Sequence, residues 1–273
     1  MSCPALVITN LSVDQPARNR RIIDNFSLTV PGGGAVALIG ERGSGKTMCS
    51  LAVMVVLPPG LVRSEGTVSI VEQPVEKLNP EQYRQLRNTK AAMVLQNPMS
   101  AFDPVLSIFS QFRETLLSHG SECSGLIRAS ASEALREVGF PEPSKILGLY
   151  PFQMSRGMLQ RVMLALALIS SPPLIIADEI TTDLDLSLQA RLLKILKNHC
   201  RRRHLALLLI THDLSVAAEM ADEIVVMKEG RLMEKASTQD FFKSPQTDYS
   251  AALLAAHRSL YTSQYEMIMA QLK

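Results

Sequence analysis

Short apolar runs and longer amphipathic segments alternate along most of the chain. The apolar runs have the length and composition of buried strands, and they lie at residues 35–39, 92–95, 174–177, 205–210 and 224–227. Segments with helical spacing of apolar residues lie between them, notably 157–169 and 186–199. Strands that alternate with helices are typical of a parallel sheet covered by helices on both faces. The pattern therefore predicts an α/β core.

Two parts of the chain depart from this alternation. Near the N-terminus, three strand-like segments follow one another without a helical pattern between them, at 6–8, 25–30 and 66–71. They predict a small antiparallel sheet. From 97 to 150 the strand signal is absent, and residues 107–118 and 129–138 have helical spacing, so we expect a helical insert there.

These patterns predict one domain with three parts. We expect residues 1–95 and 170–235 to form the α/β core together with the N-terminal sheet. Residues 96–169 should form the helical insert and the helix that follows it, and residues 236–273 a C-terminal helical tail.

The composition narrows the class of protein. The chain of 273 residues is 47% hydrophobic and 20% charged, which excludes a mainly disordered protein. Its 28 basic and 26 acidic residues give no reason to expect nucleic acid as a partner. Four separated cysteines without a CxxC pair argue against a disulfide scaffold. With no signal-peptide pattern and no apolar run of about 20 residues, we expect a soluble cytosolic protein.

One glycine-rich segment carries the clearest chemical signal. It reads Gly40-Glu41-Arg42-Gly43-Ser44-Gly45-Lys46-Thr47 and follows the strand at 35–39, which is the GxxxxGK[ST] pattern in the strand–loop–helix context that it requires. Its glycines let backbone N–H groups face phosphate oxygens, and the helix start adds partial positive charge. Lys46 is expected to reach the β- and γ-phosphates, and the Thr47 hydroxyl to hold Mg²⁺. We expect the loop to bind a nucleoside triphosphate.

Two strand ends carry further candidate residues. The strand at 174–177 is followed by Asp178 and Glu179, which cannot have the same role because side chains alternate along a strand. We expect Asp178 to hold Mg²⁺ and Glu179 to polarise the attacking water, solvated surface acids being the alternative. His212 follows the strand at 205–210, where it could contact the γ-phosphate and orient that water.

The other histidines suggest no chemistry. We expect His119 and His257 to face solvent. His199, Cys200 and His204 offer donors that suit nickel or zinc, but they flank three arginines whose positive charges oppose a dication. Because an arginine cluster suits the negative end of a helix dipole, we expect a helix end there rather than a metal site.

In order and spacing, these motifs resemble those of the nucleotide-binding subunits of ATP-binding cassette transporters, over essentially the full chain. Three further motifs carry the resemblance: Gln96 after the strand at 92–95, Met154-Ser155-Arg156-Gly157-Met158-Leu159-Gln160-Arg161, and Thr182-Asp183-Leu184-Asp185. The resemblance implies a P-loop ATPase fold with a RecA-like parallel sheet core.

Within this family the chain looks like the oligopeptide and nickel importer branch. The segments typical of that branch are 96–98, 100–104 and 244–249, and those closest to the nickel import ATP-binding subunits are 150–152, 157–161 and 175–186. Peptide-branch ATPases commonly carry a cysteine cluster near the C-terminus, and no cysteine follows Cys200 here. The resemblance thus favours ATP-driven uptake of nickel or a nickel chelate, with dipeptides, oligopeptides or other metallophores as the alternative.

The resemblance also implies a mechanism. Two ATPase subunits would close head to tail over two ATP molecules, each lying between the phosphate loop of one chain and the signature segment of the other. Ser155, Gly157 and Asp185 would belong to these nucleotide sites. Gln96 would bind Mg²⁺ and link it and the attacking water to the helical insert.

The partners that the resemblance implies are a second, non-identical ATPase subunit, two transmembrane permease subunits and an extracytoplasmic nickel- or solute-binding protein, with no nucleic acid. We accordingly expect the chain on the cytoplasmic face of the inner membrane, held there peripherally through these protein partners.

Three departures from the family pattern leave alternatives open. Arg156 replaces a signature glycine, and it could either clash with the partner's nucleotide or bind its phosphate as a cation. No aromatic residue follows the first strand to stack on adenine, a role that Arg18 or Arg20 could take. Ile180 replaces the proline that usually follows the acid pair, with little chemical effect expected.

Two other readings differ in function. A degenerate subunit that binds ATP without hydrolysing it would account for Arg156 and the missing aromatic residue, but Glu179, Gln96 and His212 argue against it. A cassette ATPase of DNA repair or chromosome structure would carry a long coiled-coil insert. Here only residues 97–153 separate Gln96 from the signature segment.

Overall fold

The computed structural model describes residues 3–118, 124–182 and 184–260. His119, which was predicted to face solvent, and Asp183 of the motif 182–185 lie outside these residues. The chain forms two compact units, one made of Met1–Leu78 and Ala206–Lys273 and the other of Asn79–Leu205.

The described elements follow the predicted alternation. In chain order the strands are β1 (Pro4–Gln15), β2 (Arg20–Pro31), β3 (Ala35–Ile39), β4 (Val62–Ile70), β5 (Gln73–Pro74), β6 (Ala91–Val94), β7 (Leu174–Asp178), β8 (Ala206–Thr211), β9 (Glu223–Lys228) and β10 (Arg231–Ser237). The helices are α1 (Lys46–Val53), α2 (Pro80–Thr89), α3 (Ile108–Ser118), α4 (Ser124–Glu137), α5 (Pro143–Leu147), α6 (Arg156–Leu168), α7 (Leu186–Arg203), α8 (Leu214–Met220), α9 (Thr238–Lys243) and α10 (Asp248–Leu260).

The first unit contains the predicted antiparallel sheet, in the strand order β2-β1-β4-β5. Strand β1 is longer than the expected segment 6–8 because a bulge interrupts its alternation. Asn10 has a φ of 51°, and the pairing with β2 shifts between Ile8 and Leu11, which are both buried. An extra residue of this kind moves the apolar positions out of the period-two pattern, and the sequence pattern then ends early.

The same unit contains the strands that carry the phosphate loop. Strand β3 pairs in parallel with β8 on one side and β9 on the other, and β10 pairs antiparallel with β9. Residues 36–39 of β3 and all of β8 are buried, as their unbroken apolar sequences predict for strands covered on both faces. The loops at the carboxyl ends of β3 and β8 hold Lys46 and His212, respectively.

The second unit is mainly helical around one parallel pair, β6 with β7. Helices α3 and α4 confirm the predicted helical insert, and α4 begins at Ser124, ahead of the expected residue 129. Helix α2 was not predicted, since its side chains are mostly polar. Asn79 caps it through a reciprocal pair of bonds with Gln82, which is the capping box that such a sequence can form.

Among the described residues, no helix has both the length and the apolar character needed to cross a bilayer.

Candidate functional site

The phosphate loop has the backbone that its glycines permit. Gly40, Gly43 and Gly45 have φ angles of 152°, 82° and 107°, a region that residues with a Cβ rarely adopt. A Cβ on Gly40 would overlap the backbone oxygen of Met227 in β9. The loop can therefore take this shape only with glycine at that position.

Lys46 lies inside this loop. Its Nζ donates to the backbone oxygens of Gly40 and Glu41, both at 2.8 Å, and to Ser44 Oγ at 3.3 Å, and the residue is only 4% exposed. An ammonium group within a glycine-rich loop at the start of α1 is an arrangement that suits an anion. The loop therefore fits a phosphate group, and Thr47, the second residue of α1, provides a half-buried hydroxyl.

The second unit builds a cluster around Glu179. Asp178 ends β7 and is 1% exposed, and Glu179 follows it with 8% exposure and a left-handed φ of 46°. The Gln96 amide Nε2 donates to Glu179 Oε2 at 2.9 Å, and Thr182 Oγ1 approaches the same oxygen at 3.3 Å. The structure thus brings Gln96 and Glu179 together, and it adds Thr182, which the sequence reasoning did not assign to the site.

Two donors on one carboxylate oxygen fix the orientation of Glu179. The turn after β7 provides the second of them, because the Thr182 N–H also bonds the Glu179 carbonyl oxygen at 3.2 Å. A threonine three residues after an acid in a tight turn is the sequence signal that could have identified it.

The signature segment begins helix α6. Ser155 caps the helix, its Oγ accepting from the Met158 N–H at 3.3 Å, and Gly157 is buried where a Cβ would overlap the Leu188 side chain of α7. Arg156 is exposed, and its Nη2 donates to the Gln96 carbonyl oxygen at 3.4 Å. Arg156 is therefore directed toward the segment that holds Glu179.

The remaining predicted residues have defined local roles. Asp185 caps α7, with Oδ1 accepting from Ser187 Oγ at 2.7 Å and from the Leu188 N–H at 2.9 Å, and these bonds lower the pKa of its carboxyl group. His212 is exposed between the last residue of β8 and Asp213, the residue that caps α8. Arg18 and Arg20 are exposed around the turn between β1 and β2.

The three arginines lie in the last turn of α7, which confirms the prediction that they mark a helix end. Among the residues that the structure describes, no group of three or more histidine, cysteine, aspartate or glutamate side chains could hold a metal ion. Burial raises the pKa of Cys200 to about 12, and burial lowers the pKa of His199, which lies 3.9 Å from Glu137. Cys200 is thus held as a thiol, and His199 is held beside a carboxylate.

One prediction about histidine is wrong. His257 is 7% exposed rather than solvent-facing, and its Nε2 lies 3.1 Å from Ser215 Oγ. Helix α10 turns this residue inward, because α10 packs one face on its own unit. The polar type of the residue had suggested the opposite.

Sequence comparison relates the chain to known transport proteins. The family model described as ABC transporter matches residues 23–182. The nickel import ATP-binding protein NikD of Brucella abortus biovar 1 (strain 9-941) is 41% identical over 244 residues, which cover 89% of this chain and 90% of that protein. The oligopeptide transport ATP-binding protein OppD of Lactococcus lactis subsp. cremoris (strain SK11) is 35% identical over 243 residues, with 89% and 72% covered.

Comparison with solved structures supports the fold. The dimeric ATP-binding cassette MJ0796, in a post-hydrolysis state bound to ADP and Pi, superposes with a TM-score of 0.76 at 24% identity, covering 85% of this chain and 98% of that one. The cbiO1 structure from Clostridium perfringens gives a TM-score of 0.76 at 19% identity, covering 98% of both chains. At these identities the likeness bears on the fold alone.

Proposed function

Because the chain belongs to the ATP-binding cassettes of the ABC transporter family, we propose that it is the ATP-hydrolysing subunit of an importer for nickel or a nickel chelate. The observation that carries hydrolysis, rather than nucleotide binding alone, is the 2.9 Å bond from the Gln96 amide to the Glu179 carboxylate. A degenerate binding subunit has no need of a carboxylate held in one orientation. This arrangement supports a working general base.

In this proposal the first unit binds the triphosphate. The loop N–H groups and the Lys46 ammonium hold the phosphates, and His212 contacts the γ-phosphate. Thr47, Asp178 and Gln96 would hold Mg²⁺, which when bound neutralises charge on the phosphate oxygens. The oxygen donors of these three side chains are of the kind that Mg²⁺ prefers.

Glu179 orients the attacking water and accepts its hydrogen bond. Gln96 and Thr182 keep the carboxylate in place, so that little reorganisation is needed when the reaction begins. The positions of both donors on Oε2 support this assignment. We assign the proton-accepting role to Glu179 and positioning roles to the two donors.

A second ATPase subunit completes the proposed mechanism. Ser155, Gly157 and Asp185 of this chain serve the nucleotide bound to the partner, and the partner supplies the same groups in return. Closure over ATP and opening after hydrolysis then switch the transport pathway.

The second unit offers a surface for the proposed permease partners. Large apolar side chains are exposed on and beside its helical insert, including Val105 at 77% and Phe152 at 67%. The Phe152 ring stacks on that of Tyr150 at a centroid distance of 5.7 Å. We assign the permease contact to these exposed apolar residues, of which Tyr150 and Phe152 lie side by side. Such contacts with the permeases would hold the chain peripherally at the cytoplasmic face of the inner membrane, and the extracytoplasmic solute-binding protein would meet the permeases from the other side.

Nickel is favoured over peptides by similarity. The nickel import protein shares 41% of aligned residues with this chain and the oligopeptide transport protein 35%. Both relatives belong to the same branch of the family, and an oligopeptide importer is therefore the second candidate. Metal selection itself would belong to the binding protein and the permeases.

Radioactive nickel uptake by cells that lack this chain tests the proposal. We expect the wild-type chain to restore uptake, and Lys46→Ala and Glu179→Gln to fail while the transporter complex remains assembled. Glu81→Gln, at an exposed position of α2, is the matched control and should restore uptake. Uptake that survives both site substitutions would exclude ATP hydrolysis by this chain as the driving step. Loss of peptide uptake alone on deletion would favour the oligopeptide importer.

A further inference from the structure

Helix α10 contacts both segments of the first unit to which we assign phosphate contacts. One end of α10 reaches the phosphate loop through Tyr249, and the other reaches the segment that carries His212 through His257. The inference drawn from these contacts rests on the proposed ATPase function.

The start of α10 is firmly anchored. Glu234 of β10 is 5% exposed, and its carboxylate accepts from the Gln246 N–H at 2.9 Å, the Thr247 N–H at 3.1 Å and Thr247 Oγ1 at 3.2 Å. Thr247 Oγ1 also lies 2.8 Å from Ser250 Oγ. Charge-assisted bonds to a buried carboxylate are among the stronger hydrogen bonds in proteins. They fix the position from which Tyr249 extends.

Tyr249 contacts the loop directly. Its hydroxyl oxygen accepts from the Glu41 N–H at 3.4 Å, and its ring packs under Lys228, with Nζ 4.7 Å from the ring centroid. Lys228 ends β9, the strand whose Met227 oxygen lies against Gly40. The tyrosine therefore connects the loop to the strand beside it.

His257 contacts the other segment two turns further along α10. Its Nε2 lies 3.1 Å from Ser215 Oγ, and the Ser215 N–H donates to Asp213 Oδ1 at 2.8 Å. The Asp213 N–H in turn donates to Thr211 Oγ1 at 3.0 Å. These bonds hold the residues on both sides of His212.

We propose that Tyr249 and His257 are positioning residues, through which α10 sets the phosphate loop and the His212 segment in their working conformations. Tyr249 acts on the binding of ATP, because it contacts the loop that binds phosphate. His257 acts on turnover, because it holds the segment whose histidine contacts the γ-phosphate. Substitutions of Tyr249 and of His257 should therefore have different kinetic effects.

Equilibrium binding of ATP to the full chain tests the first role. Tyr249→Phe keeps the ring over Lys228 and removes the hydroxyl, and we expect about fivefold weaker binding, the usual effect of one neutral hydrogen bond. Tyr83→Phe, in the other unit, is the matched control and should bind as the wild type does. Equal affinity of Tyr249→Phe and the wild type would overturn this role. No ATP binding by the wild type would instead overturn the proposed function.

A double-mutant cycle tests the second role, with the ATPase rate of the assembled transporter as the readout. We expect Ser215→Ala and His257→Phe each to lower kcat about fivefold with unchanged KM for ATP, and the double variant to be no slower than either. His257→Gln keeps a hydrogen-bonding group and should retain most of the rate, as should the control Ser259→Ala on the same helix.

Losses that multiply in the double variant would overturn the role of the His257–Ser215 contact. If His257→Phe fails to fold, Ser215→Ala still decides the question, because an unchanged kcat in that variant contradicts the proposal. If melting temperature and rate fall together in all variants and His257→Gln rescues neither, the contact has a structural role only.

Discussion

The hydrogen bonds on Glu179 Oε2 separate two functions that a single acid could have. A surface carboxylate needs no fixed orientation, whereas a group that accepts a proton from water does. Gln96 and Thr182 reach the same oxygen from different parts of the second unit. The geometry thus distinguishes Glu179 from Asp178, as the alternation of strand side chains had suggested.

Thr182→Val should lower kcat for ATP hydrolysis about threefold to tenfold and leave the affinity for ATP unchanged. Valine keeps the shape of threonine and removes one hydrogen bond to the carboxylate. Steady-state ATPase kinetics of the assembled transporter measure the effect. Thr89→Val is the control, because the Thr89 hydroxyl donates to the Gln85 backbone oxygen within α2. Weaker ATP binding with normal kcat would contradict the positioning role of Thr182.

At the scale of elements, the sequence predicts the strands and helices whose burial leaves a pattern of apolar residues. Strand β3 has the predicted bounds, and β7, β8 and β9 differ from prediction by one residue at most at each end, since strands covered on both faces are apolar throughout. Elements that are polar were missed. Strand β10 has the sequence RLMEKAS, with only Glu234 buried, so neither composition nor alternation indicates it.

The candidate site was predictable to a similar extent. The loop around Lys46 and the acid pair are local motifs, which a sequence displays directly. Thr182 reaches the acid pair of its own unit through a turn, and Tyr249 reaches the loop of the other unit by a contact with Glu41, which is far away in sequence. Contacts of that kind leave no periodic signal.

Helices α7 and α10 each bury a histidine, which predicts a pH dependence of stability. Burial lowers the pKa of both His199 and His257, although Glu137 and Asp213, respectively, raise it in part. The unfolded chain therefore binds protons first as the pH falls through about 6.5, and the free energy of unfolding decreases below that pH. Above it, both residues are neutral in either state and the loss disappears.

Urea unfolding between pH 7.5 and 5.5 measures this effect. We expect the free energy of unfolding of the wild type to fall across this range, and that of the double variant His199→Gln/His257→Gln to change less. His204→Gln, at the end of α7, is the control. Parallel curves for the double variant and the wild type would show that other groups cause the acid sensitivity.

At the scale of the whole molecule, the chain is an α/β P-loop ATPase of the ABC transporter family. The resemblance to the nickel and oligopeptide importer branch is confirmed by relatives that are 41% and 35% identical. The assembly with permeases and a second ATPase stays a prediction. In the proposed assembly, the glycine that Arg156 replaces would serve the partner's nucleotide, so Arg156 is the residue at which impairment of that site can be tested.

Arg156→Gly should change the transport-coupled ATPase rate by less than about twofold. The guanidinium is directed toward the Gln96 oxygen of its own chain, and exposed contacts of charged groups are weak. The rate of the assembled transporter with and without substrate provides the measurement. Arg128→Gly, on α4, controls for loss of a surface arginine. A large gain in rate would show that Arg156 impairs the partner's site and would favour the degenerate reading.

The left-handed backbone at Glu179 has a consequence for inheritance. A φ of 46° costs a glutamate on the order of 1 kcal/mol, which asparagine avoids, and this gain offsets part of the cost of losing the bonds from Gln96 and Thr182. Glu179→Asn should therefore stay folded and melt within about 5 °C of the wild type in a thermal scan, and a larger drop would contradict this. An inert subunit that stable would persist in the cell and occupy places in the transporter meant for working copies. Loss of this one carboxylate would then be dominant, whereas substitutions that unfold the chain would be recessive.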